Sequence, residues 1–327
     1  MKAYVAEAFG LPSTLVLKDV TPADVPSGHV RLNVKAAGAS LLDALITGGK
    51  YQVKPPLPFS PGSEFAGVVD AVADDVRHVK VGDRVMAGGF VGGFSQTAIV
   101  PAAATVPMPA SMSFETAAGF RTNYMTALHA FRQRANLQPG ETVLILGAAG
   151  GVGSAGIEIA KVMGAQVIAV ASSEEKRAFA KQLGADHAIG AEAEALRDQI
   201  KALTNGRGVD VVYDPVGGQL TELAFRSLAW RGRHLVVGFA AGSIPALPVN
   251  LALLKGASLV GVDLARFSFM HEPKVAAENM TQLIAWFESG TLKPQVGHVY
   301  PFSQAREALA DILARRAIGK AVVQIGS

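Results

Sequence analysis

The sequence predicts an α/β protein in two parts, a strand-rich first segment and a doubly wound parallel sheet, on three observations. Residues 1 to about 120 hold short runs of alternating apolar residues punctuated by Gly and Pro. From residue 143 onward, apolar strand patterns alternate with helical ones, which is the signature of a parallel sheet. The first strand of that alternation runs directly into a glycine-rich loop.

In the first part, residues 30–34 and, in part, 66–72 alternate apolar with polar, and 81–85 read as a turn feeding a strand. Prolines at 55, 56, 58 and 61 hold an extended, irregular segment. The pattern is that of a small β-barrel or a strongly bent sheet. After Phe114 it turns helical over 115–134, with Ser111 or Ser113 as the N-cap. Pro139-Gly140 then breaks the chain before an apolar strand at 143–146. A helix over 152–163, a strand at 167–171, helices over 174–183 and 194–203, a strand at 209–213, a helix over 220–228 and a strand at 234–237 follow. Helices over 275–289 and 304–315 and a strand at 320–325 complete the reading.

Composition narrows the function classes. At 327 residues the chain exceeds one typical core and suggests two domains. With 50% hydrophobic and 17% charged residues it reads as a globular enzyme rather than a disordered chain. It has no cysteine, which excludes disulfides, iron–sulfur clusters, thiol nucleophiles and cysteine-bearing zinc sites. A net charge of +3, from 30 basic and 27 acidic residues, makes no case for nucleic acid or an anionic membrane. No signal-peptide pattern and no apolar run of about 20 residues is visible, so the expected location is the cytoplasm. The seven histidines show no metal-ligand spacing, and no Gly-x-Ser-x-Gly elbow supports hydrolysis.

The chemistry starts at the loop. Ala148-x-Gly150-x-x-Gly153 is a dinucleotide fingerprint with Ala at its first position, and Gly151 and Val152 complete it. A pyrophosphate must approach backbone N–H groups at a helix N-terminus, where side chains would clash. Gly150 allows that approach, and Gly153 lets the helix pack on the strand. The alternative, a tight strand–helix turn without a ligand, fits less well with the flanking strand, helix and second strand. The end of that second strand selects the cofactor. An NAD site usually offers an acid there. Here Ser172 and Ser173 are followed by Lys176 and Arg177, which suit a 2′-phosphate and so NADPH. Glu174 and Glu175 read as first-turn helix acids, with Ser172-x-x-Glu175 as a capping box.

Gly62-Ser63-Glu64-Phe65-Ala66-Gly67, residues 81–85, Thr126-Ala127, the loop 147–153, Leu183-Gly184-Ala185-Asp186, Tyr213-Asp214-Pro215-Val216-Gly217-Gly218 and Ile318-Gly319-Lys320 occur in a specific order and spacing. By these the chain resembles the zinc-independent quinone oxidoreductases, the zeta-crystallin-like branch of the medium-chain dehydrogenase/reductase superfamily. The resemblance implies a GroES-like β-barrel catalytic domain at 1–122, completed by 266–327, with an NADPH-binding Rossmann domain inserted at 123–265. It implies a homodimer paired through an edge strand at 258–264.

It also implies no metal, because Ser40 and Ser63 stand where zinc-bearing relatives place Cys and His, and serine is not a competent zinc ligand. Glu64 remains, as an anchor for its loop. On the catalytic side the resemblance points to Ser40, where relatives have an Asn, and to Tyr51, which either orients or protonates a substrate carbonyl or serves as a lid residue. On the cofactor side it points to Thr126 beside the nicotinamide, to Val216, Gly238 and Phe239 after later strands, and to Lys320. Lys320 either reaches the phosphates or nicotinamide rim or is a solvated charge opening the last strand. Arg121 either binds an anionic substrate or forms a surface ion pair. The Tyr that relatives often place near Gly190 is missing.

The expected reaction is hydride transfer from NADPH to an electrophilic small molecule, a quinone or the β-carbon of an enone. Enoyl-thioester reduction is the nearest alternative. An NADPH-binding structural or RNA-binding protein with little turnover is the third.

Overall fold

The change of pattern near residue 120 corresponds to a division into two units. The computed structural model describes residues 1–326. Its first unit comprises Met1–Arg121 together with the segment from Gln295 onward, and its second is Thr122–Pro294. The expected return to the first domain at 266 is therefore too early, since residues 266–294 belong to the second unit.

The first unit begins with strands β1 (Lys2–Val5), β2 (Val16–Asp19) and β3 (His29–Ala39), then helix α1 (Leu41–Thr47) and strands β4 (Glu64–Val72), β5 (Arg84–Gly88), β6 (Thr97–Pro101) and β7 (Val106–Pro107). Helix α2 (Phe114–His129) carries the chain into the second unit, its last turn widening into a π turn over Ala130–Arg134. Ser113 caps α2, its hydroxyl accepting from Thr116 N at 3.1 Å.

The second unit alternates as the sequence predicts: β8 (Thr142–Ile145), α3 (Gly151–Val162), β9 (Gln166–Val170), α4 (Glu174–Gln182), β10 (His187–Ile189), α5 (Ala193–Leu203), β11 (Val209–Asp214), α6 (Gln219–Arg226) and β12 (Leu228–Val236). Helix α7 (Asn250–Lys255), strand β13 (Ser258–Gly261) and helices α8 (Leu264–Arg266) and α9 (Pro273–Glu288) complete it. Strand β14 (Val296–Pro301), helix α10 (Ala305–Leu313) and strand β15 (Lys320–Gln324) return to the first unit.

In the first unit the strands run β14-β15-β3-β4-β5-β7, with β6 also on β3 and β1 on β2, all antiparallel except β14 and β15. Strand β3 buries every second side chain at Val30, Leu32 and Val34, and these pack with Phe65, Phe94 and Val323. The second unit's sheet is wholly parallel in the order β10-β9-β8-β11-β12-β13. That is the doubly wound dinucleotide-binding order, with the strand order reversing between β8 and β11. Its strands are apolar on both faces because helices cover both, so Val143, Leu144, Ile145, Val167 and Ile168 are all buried. Strand β13 forms one edge but ends at Gly261, so the expected edge strand is shorter and Leu264 starts a helix instead.

Candidate functional site

Ligands of a doubly wound sheet collect beyond the strands' carboxyl ends, where the strand order reverses. In the second unit that point lies between β8 and β11, and the loop leaving β8 is the fingerprint. Gly147 takes the left-handed turn at φ +59°, one residue before the Ala148 of the motif, which explains why alanine is tolerated there. Ala148 N donates to Val170 O at 3.0 Å, tying the loop to β9. A Cβ on Gly153 would sit 2.8 Å from Ala148 Cα, so packing within the chain dictates that glycine. Gly150 differs. A Cβ there would meet only Gly147 O at 3.5 Å, an ordinary contact. Nothing in the chain requires Gly150 to be a glycine. It is the N-cap of α3 and supplies no capping side chain, so the amides of Gly151, Val152 and Gly153 are offered to an external acceptor.

At the end of β9, Ser173 rather than Ser172 caps α4, its hydroxyl accepting from Lys176 N at 3.3 Å. The expected box is therefore displaced by one residue, and Ser172 stays exposed ahead of the helix. Arg177 folds back over the strand end, Nη1 reaching Ala171 O at 3.4 Å. A hydroxyl, a helix N-terminus and a guanidinium thus meet where a ribose 2′ substituent belongs. At Gly190, where relatives often have Tyr, the Glu192 side chain occupies the space that a side chain would take.

Val216, Gly238 and Phe239 lie in the loops after β11 and β12. Asp214 Oδ1 accepts from Val216 N at 2.9 Å, Gly238 N donates to Asp214 O at 3.3 Å, and the Phe239 ring covers Gly217. Thr126 is buried in α2 with its hydroxyl donating to Thr122 O at 2.7 Å, which leaves it only acceptor capacity for a ligand.

In the first unit the predicted polar residues form a connected cluster. Ser40 caps α1 and donates to Asp43 Oδ2 at 2.6 Å, while Asp43 Oδ1 accepts from Ser63 N at 2.7 Å. Asp43 therefore ties together the two loops that bear Ser40 and Ser63. Sequence reasoning missed it, although Ser40-x-x-Asp43 is capping-box spacing. Glu64 and Lys320 form a buried ion pair, Nζ to Oε2 3.2 Å. Lys320 opens the last strand as expected but is buried rather than solvated, its ammonium directed to Glu64. Gly38 and Gly119 make room for its stem, since a Cβ on either would lie within 2.7 Å of it. Arg121 is half-buried rather than on the surface: its Nη1 lies beside Gly88 and donates to Ala104 O at 3.3 Å. Burial pushes Arg121 down from its ordinary value, and the Glu64 charge opposes that. Tyr51 is half-buried, packed against the first unit's core just after the left-handed Gly49.

One buried acid escaped notice in the sequence. Glu158 of α3 accepts a hydrogen bond from the Tyr124 hydroxyl of α2, and burial pushes its carboxyl up to about 8 although that bond opposes the shift.

Comparison with known proteins agrees with this layout. A family model described as zinc-binding dehydrogenase matches residues 151–286, and one described as alcohol dehydrogenase GroES-like domain matches residues 26–110. Quinone oxidoreductase-like protein 2 of Rattus norvegicus is 36% identical over 316 residues, covering 96% of this chain and 90% of that protein. The quinone oxidoreductase of Thermus thermophilus, solved also in complex with NADPH, superposes with a TM-score of 0.85 at 33% identity, covering 99% of this chain and 100% of the other. The CurK enoyl reductase superposes with a TM-score of 0.88 at 26% identity, over 99% of this chain and 98% of that one. Glu64 is held by Lys320 and Asp43 by two serine groups, and among the described residues no group of three or more His, Cys, Asp or Glu is placed to hold a metal ion.

Proposed function

Because the chain belongs to the quinone oxidoreductases of the medium-chain dehydrogenase/reductase superfamily, we propose that it uses NADPH to reduce quinones or other α,β-unsaturated carbonyl compounds without a metal. The observation that carries this reading is Gly150, a glycine that the chain's own packing does not require, at the uncapped start of α3. There Gly151, Val152 and Gly153 hold the pyrophosphate by their amides. Ser172, Ser173, Lys176 and Arg177 hold the 2′-phosphate, and Val216, Gly238, Phe239 and Thr126 border the nicotinamide. The bound cofactor supplies a hydride.

The first unit holds the candidate acceptor residues. Tyr51 orients the acceptor carbonyl and donates its phenolic proton as charge develops on oxygen. Ser40, Asp43 and Glu64 keep the surrounding loops fixed, so the residues act mainly by positioning. Lys320 acts through Glu64 rather than on phosphate. The direct test mixes the protein with NADPH and a panel of quinones and enones, following cofactor absorbance. Oxidation with at least one class is expected, and none across the panel would sink the proposal.

Similarity to an enoyl reductase, together with the Arg121 guanidinium, favours a second reading, reduction of an enoyl thioester. Comparing an enone with its coenzyme A thioester separates the two.

We also propose a cytoplasmic homodimer paired through β13. This edge strand exposes Leu259, Leu253 and Leu254 of α7 are exposed a few residues before it, and the exposed Trp230 ring of β12 lies beside Gly256. No described helix is long and apolar enough to cross a membrane. Leu259→Lys should convert a dimer to a monomer in sedimentation, and an unchanged dimer would exclude this edge.

A further inference from the structure

The turn after β11 is held by a buried polar network that the cofactor contacts do not account for. Four donors converge on the Asp214 carboxylate. Oδ1 accepts from Val216 N at 2.9 Å and Gly217 N at 2.7 Å. Oδ2 accepts from Thr221 Oγ1 at 2.7 Å and His234 Nε2 at 3.1 Å. Burial alone would push Asp214 up, but these donors hold it below the usual carboxylate range, so it stays an anion in a dry site.

This anion fixes more than its own turn. Gly217 and Gly218 adopt φ +70° and +65°, and Val216 Cγ2 lies 2.7 Å from where a Cβ on Gly147 would be. The turn therefore abuts the fingerprint loop directly. Ala240 N donates to Pro215 O at 3.1 Å and Ala241 N to Val216 O at 2.8 Å, which laces the loop after β12 to the same turn. Asp214 is thus linked through its turn to the loops after β8 and β12.

His234 enters from β12, fully buried, with its ring beside Phe225 at 5.9 Å between centroids. Its Nε2 meets Asp214, while its Nδ1 is buried with no hydrogen-bond partner. An orphaned buried nitrogen costs stability, and an apolar ring would fill the same space without that cost. The one hydrogen bond this buried ring makes is the Nε2 contact with Asp214.

We propose that His234 is a positioning residue which, through Asp214, sets the turn 215–218 against the fingerprint loop and so sets cofactor affinity. This rests on the reading that the fingerprint holds NADPH. The chemistry is a single N–H that aims a carboxylate, and the carboxylate in turn aims two backbone amides.

The test compares His234→Phe, which keeps a ring beside Phe225 but removes the donor, with His234→Gln, whose amide N–H can take the place of Nε2. NADPH dissociation constants are read by cofactor fluorescence, the acceptor KM by turnover, and folding by circular dichroism. H234F should weaken NADPH about tenfold, the loss of one hydrogen bond to a charged group, with the acceptor KM changed less than about twofold. H234Q should recover to within about threefold of wild type. Thr221→Val removes the neighbouring donor to the same oxygen, should give the same cofactor-selective loss, and replaces H234F if that variant does not fold. Unchanged NADPH affinity, or a loss that H234Q fails to recover, overturns the proposal. Wild-type protein that binds no NADPH overturns instead the reading on which it rests.

Discussion

The cofactor loop of the second unit and the polar cluster of the first differ in how the sequence builds them. The loop is a single stretch, 147–153, whose glycines, strand and helix are contiguous. The cluster is assembled from residues 40, 43, 63, 64, 121 and 320, brought together by strand pairing such as Gly38 with Val322 and with Glu64. A contiguous motif can be read from one stretch of sequence, whereas the cluster exists only once the strands have paired.

The largest expected effect lies in the cluster. Lys320→Met leaves Glu64 buried without its ammonium partner, and should lower the unfolding free energy by about 3 kcal/mol. The double variant Glu64→Gln/Lys320→Met should recover most of that loss in a urea titration. If the double variant is no more stable than the single, the pair is not what holds β4 to β15.

The loop should respond in function rather than in stability alone. Gly153→Val forces a branched side chain onto Ala148 and should weaken NADPH on the order of a hundredfold by fluorescence titration. Gly150→Ala has room in the free protein and should unfold like wild type. It should nevertheless lose about tenfold in affinity, because its methyl enters the phosphate's space. Equal affinity in G150A would show that the ligand does not approach there.

A smaller effect distinguishes the buried acid of α3. Glu158 keeps its proton in the folded chain up to about pH 8 and loses it near 4.5 when unfolded. The folded state therefore holds the extra proton between those values, and stability declines as pH rises through that window. Glu158→Gln is neutral throughout and still accepts from Tyr124. Its melting temperature should match wild type near pH 4 and exceed it at pH 8. Parallel pH curves for the two proteins would exclude a protonated Glu158.

What the sequence made legible follows the same division. Strands 143–146 and 167–171 and the helix between them could be read because apolar run, glycine loop and helical period are all local. Adjacent serines at 172 and 173 both fit a helix cap, and only the backbone decides that Ser173 is the one. Helix α9 shows the same limit at a larger scale. Its apolar stripe marks a buried face but not which core receives it, so the expected boundary at 266 preceded the actual return near residue 295. The pairing of Lys320 with Glu64 spans 256 residues and left no sequence signal beyond two charged residues in apolar strands. The same holds for His234 and Asp214, whose meeting depends on β11 and β12 lying side by side.

The central claim is that the loop 147–153 and the end of β9 together hold a dinucleotide bearing a 2′-phosphate. The most direct measurement is a calorimetric titration of the protein with NADPH and, separately, with NADH. NADPH should bind with one site per chain and at least about tenfold more tightly, as hydroxyl, helix N-terminus and guanidinium contacts to a phosphate imply. Equal affinities, or tighter NADH, would contradict it.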